Sequence, residues 1–252
     1  MTAEGDPLRA QAARAWRFRC GVEREANLRF ARLAGWLDEA GFAGPLVDMA
    51  VRASSDEQRH ALRCADLAGE YGASVADLPA AAPAVLAPAG LAPRATVLYE
   101  AVATCCVTET GSMGVLTALL GSVRGGRLRR TLRELAADEV LHSRLGWAVL
   151  AAERDRGTGS LLAPYVPAML AGSIDADLFR PGAAQQEDPA LLDHGVLPRA
   201  LQREVFTRTA LEVVFPGLEA NGIDAGPARR WLEEQLRSMD EGSPAGVEPL
   251  TR

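Results

Sequence analysis

Apolar residues recur at spacings of three and four along most of the first 157 positions, which is the period of amphipathic α-helices. Strict alternation of polar and apolar residues, which would indicate strands, is nearly absent. Glycine or proline stands where the periodic stretches begin or end. The pattern therefore predicts four long helices, over residues 7–40, 45–71, 93–121 and 127–156.

The connections between these helices are short, long and short. Helices 1 and 2 are separated by a few residues, as are helices 3 and 4, so each pair should form an antiparallel hairpin. The Ala- and Pro-rich stretch 73–92 cannot form a regular helix, and at about 3.3 Å per extended residue it can run the length of a bundle. We therefore expect an all-α fold in which residues 1–157 form a four-helix bundle with one long crossover between helices 2 and 3.

Beyond Gly157 the helical pattern is weaker. Shorter helices are predicted over 160–171, 198–215 and 227–239, and a polar loop is predicted to run through His194, which we expect to be an ordinary surface residue. Residues 158–240 are then a helical C-terminal extension that packs on the bundle. The last stretch, 241–252, is predicted to be a disordered tail.

Charge and composition argue against several classes of function. The net charge is −6 and no basic cluster stands alone, which argues against a nucleic-acid partner. All 27 basic residues are arginine, and the absence of lysine excludes Schiff-base chemistry. We expect no signal peptide, and no membrane-spanning helix because the most apolar candidate carries Glu100 and Glu109. Four cysteines, two of them adjacent, suit free thiols in the cytoplasm.

Two of the three histidines end the same pattern, Asp-Glu-x-x-His, at His60 and His142. On a helix, a Glu and a His three positions further on lie on one face, so carboxylate and imidazole can bind one metal ion. Two such pairs on facing helices, with one carboxylate from each of two further helices, make the six ligands of a carboxylate-bridged dinuclear site. The repeat therefore predicts Glu57, His60, Glu139 and His142 as metal ligands.

The two remaining ligands would come from helices 1 and 3. In helix 1, Glu23 shares a face with apolar residues whereas Glu25 lies on a face that looks solvated, so Glu23 is preferred. In helix 3, Glu100 and Glu109 are nine residues apart and point to opposite sides of an α-helix. Glu109 is preferred because it would then lie about as far along the second hairpin as Glu23 lies along the first. Glu25 and Glu100 remain the alternatives.

Asp56 and Asp138 directly precede the two repeated glutamates. A metal-bound histidine normally donates its second ring N–H to a carboxylate or a carbonyl, which fixes the tautomer of the ring. We expect each aspartate to accept from the histidine of the other hairpin, Asp138 from His60 and Asp56 from His142.

Four segments carry a resemblance to a known family: Glu23-x6-Phe30, Asp56-Glu-Gln-Arg-His60, Cys106-Val-x-Glu109 and Asp138-Glu-x-x-His142. Over about residues 15–155 the chain resembles the ferritin-like di-iron carboxylate superfamily of rubrerythrins, bacterioferritins, ribonucleotide reductase small subunits and di-iron oxygenases, and more narrowly bacterial ferritin-like domain proteins. The resemblance implies a ferritin-like four-helix bundle that binds two iron ions. The ligands that it implies are Glu23, Glu57, His60, Glu109, Glu139 and His142.

The expected function is that of a non-haem di-iron oxidase or oxygenase, which uses O₂ and an electron donor to oxidise a small organic substrate. Glu57 and Glu139 would bridge the two ions or shift during the reaction, and a Mn/Fe or Mn/Mn centre is compatible with the same ligands. One alternative is an iron-handling ferroxidase or storage protein, in a cage or an encapsulated assembly. Another is a non-catalytic metal-binding scaffold. We expect a cytoplasmic protein. A homodimer is compatible with the sequence.

Overall fold

A computed structural model describes residues 6–180 and 188–241 of the chain. All regular structure in these residues is helical and they contain no strand, so the all-α class is confirmed. The tail predicted at 241–252 lies outside the described residues except for Glu241, which ends the last helix.

The first part of the chain forms two helical hairpins. In the first hairpin, α1 (Pro7–Glu39) packs along α2 (Gly44–Glu70). In the second, the third long helix (Pro93–Ser122) packs on α5 (Gly126–Glu153). α2 also packs on α5, which brings the hairpins together. The four predicted long helices and their short, long and short connections are confirmed to within a few residues.

The crossover between the hairpins is held to the helices by polar side chains. The buried carboxylate of Glu100 accepts hydrogen bonds from the backbone N–H groups of Leu86 and Ala87. Arg32 donates to the carbonyl of Pro83 at 2.9 Å, and its guanidinium lies 3.5 Å from the Glu100 carboxylate. The path of the crossover is therefore fixed by contacts with α1 and with the third long helix.

The third long helix is not a uniform α-helix. It consists of α3 (Pro93–Ala101), a π-helix (Val102–Glu109) and α4 (Thr110–Ser122). Within the π-helix the hydroxyl of Thr108 donates to the carbonyl of Ala103, five residues earlier, at 3.0 Å. A π-helix has more residues per turn than an α-helix. The α-helical rotation that the sequence analysis assumed between Glu100 and Glu109 is therefore wrong.

Buried apolar side chains form two clusters, and a band of buried polar residues separates them along each long helix. On α1, one cluster includes Trp16 and Cys20, the other begins at Phe30, and Glu23 lies between them. A buried carboxylate costs several kcal/mol unless it is paired or neutralised. The carboxylates of the polar band must therefore be paired with cations or neutralised by protons.

The C-terminal part adds shorter helices that pack on the second hairpin. They are α6 (Val166–Gly172), α7 (Arg199–Thr209), a second π-helix (Ala210–Val214), α8 (Phe215–Ala220) and α9 (Gly226–Glu241), together with 3₁₀ segments at Arg154–Arg156, Thr158–Tyr165 and Pro189–His194. Glycine permits two of the close contacts. A Cβ on Gly114 would lie 2.5 Å from Oγ1 of Thr209, and one on Gly217 would lie 2.7 Å from the ring of Trp147. The helix predicted at 198–215 thus continues, through the π-helix, to Ala220.

The segment before α7 differs from the predicted polar loop. Its 3₁₀ helix ends at His194, whose carbonyl accepts a hydrogen bond from Nε1 of Trp16 at 2.9 Å. The His194 ring packs edge-on against Tyr71, with 5.5 Å between the ring centroids. His194 therefore attaches the C-terminal part to the first hairpin, and the expectation of an ordinary surface residue is wrong.

By length and composition one described helix, Pro93–Ser122, is apolar enough to cross a membrane, with a mean hydropathy of 1.3 over its best window. In the structure 56% of that window is buried inside the protein. The helix also contains the buried carboxylates of Glu100 and Glu109. Core helices that are packed by their neighbours have the same length and composition.

Candidate metal centre

Six acidic and histidine side chains from the four long helices converge between the two apolar clusters, and none is more than 5% exposed. They are the six that the sequence analysis singled out. α1 contributes Glu23, α2 contributes Glu57 and His60, the end of the first π-helix contributes Glu109, and α5 contributes Glu139 and His142.

These side chains form two overlapping groups, each of which could hold a metal ion, with one ligand atom per residue all within 4.8 Å of one another. The His60 subsite consists of Glu23, Glu57, His60 and Glu139. The His142 subsite consists of Glu57, Glu109, Glu139 and His142. Glu57 and Glu139 belong to both subsites, so their carboxylates could be shared by two ions.

Each histidine directs one ring nitrogen toward the carboxylates and the other toward an aspartate of the opposite hairpin. Nε2 of His60 donates to Oδ2 of Asp138 at 3.2 Å, and Nε2 of His142 donates to Oδ2 of Asp56 at 3.4 Å. These are the crossed pairs that the sequence analysis expected. The two imidazole centroids are 5.7 Å apart, so both rings face one compartment.

Arg59 contacts both of these aspartates. Its NH1 donates to Oδ1 of Asp56 at 2.8 Å, and its NH2 donates to Oδ2 of Asp138 at 2.9 Å. A cation between two carboxylates offsets their mutual repulsion. Because the Arg59 side chain is 53% exposed, it also covers the outer side of the two aspartates.

Glu57 is the most enclosed carboxylate of the site. Nδ1 of His142 lies 2.9 Å from its Oε1, but neither oxygen of Glu57 has a partner with the alignment of a hydrogen bond. Nδ1 of His60 is 3.3 Å from Oε2 of Glu57, but the two atoms lack the alignment of a hydrogen bond and this Nδ1 also has no partner. Because Nε2 of His60 is the proton donor to Asp138, a neutral ring presents a lone pair at Nδ1. A lone pair that faces a carboxylate is stabilised by a cation between them, so these atoms fit a metal ion.

The pKa values of three of the carboxylates are shifted in different directions. Burial raises the pKa of Glu23 to about 8, although the nearby Arg19 opposes this shift. Burial, together with neighbouring carboxylates, raises the pKa of Glu109 well above its ordinary range. For Glu57 burial also acts upward, but the two imidazoles outweigh it and lower the pKa to about 2.

The two imidazoles are shifted upward. Burial lowers the pKa of both rings, but the surrounding carboxylates outweigh burial, and the pKa reaches about 9 for His60 and about 10 for His142. Metal ligation requires neutral imidazoles and ionised carboxylates, so ions at this donor set would compete with protons at His60, His142, Glu23 and Glu109.

A cation at the edge of the site was missed from the sequence. Nε of Arg19 donates to Oε1 of Glu23 at 2.8 Å, and its NH2 donates to Oγ of Ser112 at 3.3 Å. The same NH2 is 4.0 Å from Oε1 of Glu139, which accepts from Ser112 at 3.2 Å. Arg19 lies one helical turn before Glu23 on the same face of α1, and this spacing is the signal that could have found it.

The structure also separates the alternatives that the sequence left open. The Glu25 side chain is 52% exposed and lies 3.8 Å from Arg29 on the surface of α1. Glu100 is buried, but its carboxylate accepts from the crossover backbone instead of facing the site. Glu23 and Glu109 are the residues that reach the cluster.

Comparison with known proteins adds no relative to this description. No family model, curated protein or solved structure matches the chain. The site is therefore defined by two observations on the chain itself, the repeated motif in the sequence and the convergence of six side chains in space.

The site is closest to solvent on the side of α1 and the third long helix. Glu23 and Glu109 are each 5% exposed, compared with 0% for Glu57 and 1% for Glu139. The Arg19 side chain at this edge is 19% exposed. A route for small molecules to the inner carboxylates would therefore pass between these two helices.

A surface groove of about 450 Å³ lies elsewhere, along α7, the second π-helix and α9. Its lining includes Arg203, Thr207, Leu211 and Leu236, and no residue of the six-membered cluster. This groove therefore does not open onto the candidate metal centre.

Proposed function

We propose that the chain is a ferritin-like dimetal carboxylate protein and that it functions as a non-haem di-iron oxidase or oxygenase on a small organic substrate. The observation that carries the proposal is the convergence of four buried carboxylates and two imidazoles around Glu57. Buried polar atoms in folded proteins are normally hydrogen-bonded. Here both oxygens of Glu57 and Nδ1 of His60 lack such a partner, which favours metal ligation over a purely structural cluster.

The helix arrangement supports the ferritin-like part of the proposal. Two hairpins are joined by one long crossover, two helices each supply one glutamate, and the other two each supply a Glu-x-x-His pair. This distribution of ligands over four helices is the plan of ferritin-like di-iron carboxylate proteins.

In this proposal Glu23 and His60 would hold one ion, Glu109 and His142 would hold the other, and Glu57 and Glu139 would contribute to both. Two bound iron ions would supply the electrons for reaction with O₂. Asp138 and Asp56 hold the imidazole tautomers through the Nε2 hydrogen bonds. A Mn/Fe or Mn/Mn pair is compatible with the same donors because oxygen and imidazole ligands do not discriminate strongly among these metals.

The cluster comes closest to solvent on the side of α1 and the third long helix, where Glu23 and Glu109 are each 5% exposed. We infer that substrate and O₂ approach between α1 and α4, and that a separate electron donor reduces the metal pair.

Free cysteines support an intracellular setting for this chemistry. Cys20, Cys64, Cys105 and Cys106 are all buried and unpaired. Thiols of this kind persist in a reducing compartment. We therefore propose a cytoplasmic protein.

Anaerobic loading with Fe(II), followed by exposure to O₂, tests the proposal. We expect about two irons per chain in a monomer or dimer, and a transient visible absorption after O₂ is added. Glu57→Gln, which removes a charge shared by both subsites, should abolish the transient, while Glu25→Gln on the exposed face of α1 should leave it unchanged. A protein that binds neither iron nor manganese would refute the proposal. Iron loading far above two per chain in a large assembly would indicate storage instead.

A further inference from the structure

The two subsites have matching ligands but different charge environments. Each consists of one histidine and three glutamates, two of which are shared. The guanidinium of Arg19 is 2.8 Å from Glu23, which belongs to the His60 subsite alone, and is farther, at 4.0 Å, from Glu139, which both subsites share. Within residues 6–180 and 188–241, no arginine forms an ion pair with Glu109, the counterpart of Glu23. The residue one turn before Glu109 is Cys105, a buried and uncharged side chain.

The carboxylate of Glu23 is also partly committed to donors from the protein. Its Oε1 accepts from Nε of Arg19, and Sγ of Cys64 lies 4.0 Å from the same oxygen. An ion at the His60 subsite must therefore share Glu23 with a guanidinium and remain near its positive charge. An ion at the His142 subsite would bind Glu109, whose carboxylate forms no ion pair with an arginine in the described residues.

We propose that Arg19 makes the two subsites unequal, so that the first divalent ion binds at the His142 subsite and the second binds more weakly at the His60 subsite. The inference rests on the proposed dimetal function. A unit charge a few ångströms from an ion in a partly buried site changes affinity by more than about tenfold. Arg19 is thus a positioning residue that sets the order of metal loading, and the ion beside it is the exchangeable one.

Anaerobic titration with Mn(II), followed by electron paramagnetic resonance, tests this order. In the wild-type protein we expect two dissociation constants that differ by more than about tenfold. One equivalent should give the spectrum of isolated Mn(II), and the second equivalent should convert it into that of an exchange-coupled pair. In Arg19→Gln the two constants should converge to within about threefold, and coupled pairs should appear before one equivalent has been added.

Two further variants separate charge from packing. Arg19→Lys keeps the positive charge and should keep the stepwise order. Arg29→Gln removes an arginine of the same helix that pairs with the exposed Glu25, so both constants should stay as in the wild type. A loss of order in Arg19→Lys equal to that in Arg19→Gln would contradict an effect of charge.

Which subsite binds the first ion can be tested without changing Arg19. His142→Ala should remove the tight step, whereas His60→Ala should preserve it. Equal affinities in the wild type, an unchanged gap in Arg19→Gln, or loss of the tight step in His60→Ala would each overturn the inference while the dimetal proposal stands. Failure of the wild type to bind any Mn(II) or Fe(II) would refute the dimetal proposal itself.

Discussion

Asp138 and His60 belong to different helical hairpins, yet Oδ2 of Asp138 lies 3.2 Å from Nε2 of His60. Asp56 and His142 make the equivalent contact at 3.4 Å, with the aspartate on the first hairpin and the histidine on the second. Each hairpin therefore supplies the acceptor that orients the imidazole of the other hairpin. Docking of the hairpins therefore also orients the ring nitrogens that face the carboxylates, so under the proposed function metal binding would be coupled to folding.

The first prediction concerns this contact. Asp138→Asn keeps the shape of the side chain but removes the charge that polarises the His60 ring, so affinity for metal should fall about 10–100-fold. Competition with a chelator of known affinity measures the change. Glu134→Gln is the matched control, because Glu134 is on the same helix but is 51% exposed and pairs with Arg63 away from the site. Unchanged metal affinity in Asp138→Asn would contradict a role for the aspartate.

A second prediction compares two buried glutamates of the third long helix. Under the proposed function Glu109→Gln should lose about half of the bound metal, because Glu109 belongs to the His142 subsite alone. Glu100→Gln should keep both ions but lower the free energy of unfolding by about 1–3 kcal/mol, because its carboxylate accepts from the crossover and faces Arg32. Metal analysis and chemical denaturation of both variants give the comparison. Loss of metal in Glu100→Gln would contradict the assignment of Glu100 to the crossover and of Glu109 to the metal site.

Much of the fold and of the cluster could be predicted because the relevant signals are local. Helical periodicity and the glycines at helix ends define the long helices, and the lengths of the connections define the hairpins. Within α1, the apolar neighbours of Glu23 distinguish it from Glu25, and the repeated Asp-Glu-x-x-His pattern places both histidines at one depth. Each of these signals depends on residues that are close in sequence.

The missed features depend on contacts between distant residues. The π-helix at Val102–Glu109 has no distinctive composition, and its five-residue hydrogen bonds appear only in the folded helix. His194 looked polar and exposed because its contacts with Trp16 and Tyr71 come from the other end of the chain. The link from Arg19 to Ser112 likewise crosses between hairpins.

A third prediction concerns the close approach of α5 to the π-helix. A Cβ on Gly146 would lie 2.6 Å from Cβ of Cys105 and 2.6 Å from Sγ of Cys106. Gly146→Ala should therefore force the helices apart and lower the free energy of unfolding by about 1–3 kcal/mol. Because the π-helix ends at Glu109, the same shift should weaken metal binding.

Gly35→Ala is the matched control for that variant. Gly35 lies inside α1 and a Cβ there meets nothing within 4 Å. The substitution should raise the free energy of unfolding by about 0.5–1 kcal/mol, since alanine has the higher helix propensity. Equal effects of the two substitutions in denaturant unfolding would argue against a steric limit at Gly146.

The last prediction follows from the shifted pKa values of the metal-free site. The pKa of His60 rises from 6.5 to about 9 and that of His142 to about 10, because nearby carboxylates outweigh the opposing effect of burial. A histidine whose pKa is raised by folding adds stability that is complete below its unfolded pKa and is lost as the pH rises through the folded value. Glu23, raised by burial from 4.5 to about 8, acts in the same direction because its folded form retains a proton.

The melting temperature of the chelator-treated protein should therefore fall between about pH 6 and about pH 8.5. With saturating Mn(II) the fall should be reduced or reversed, because each bound ion replaces protons at these groups and binds more tightly as they deprotonate. Thermal melts at matched ionic strength, with and without Mn(II), measure the difference between the two curves. Glu57→Gln should bring the curves together, since both subsites lose a shared ligand. Parallel curves for the wild-type protein would mean that metal and protons do not compete for this site.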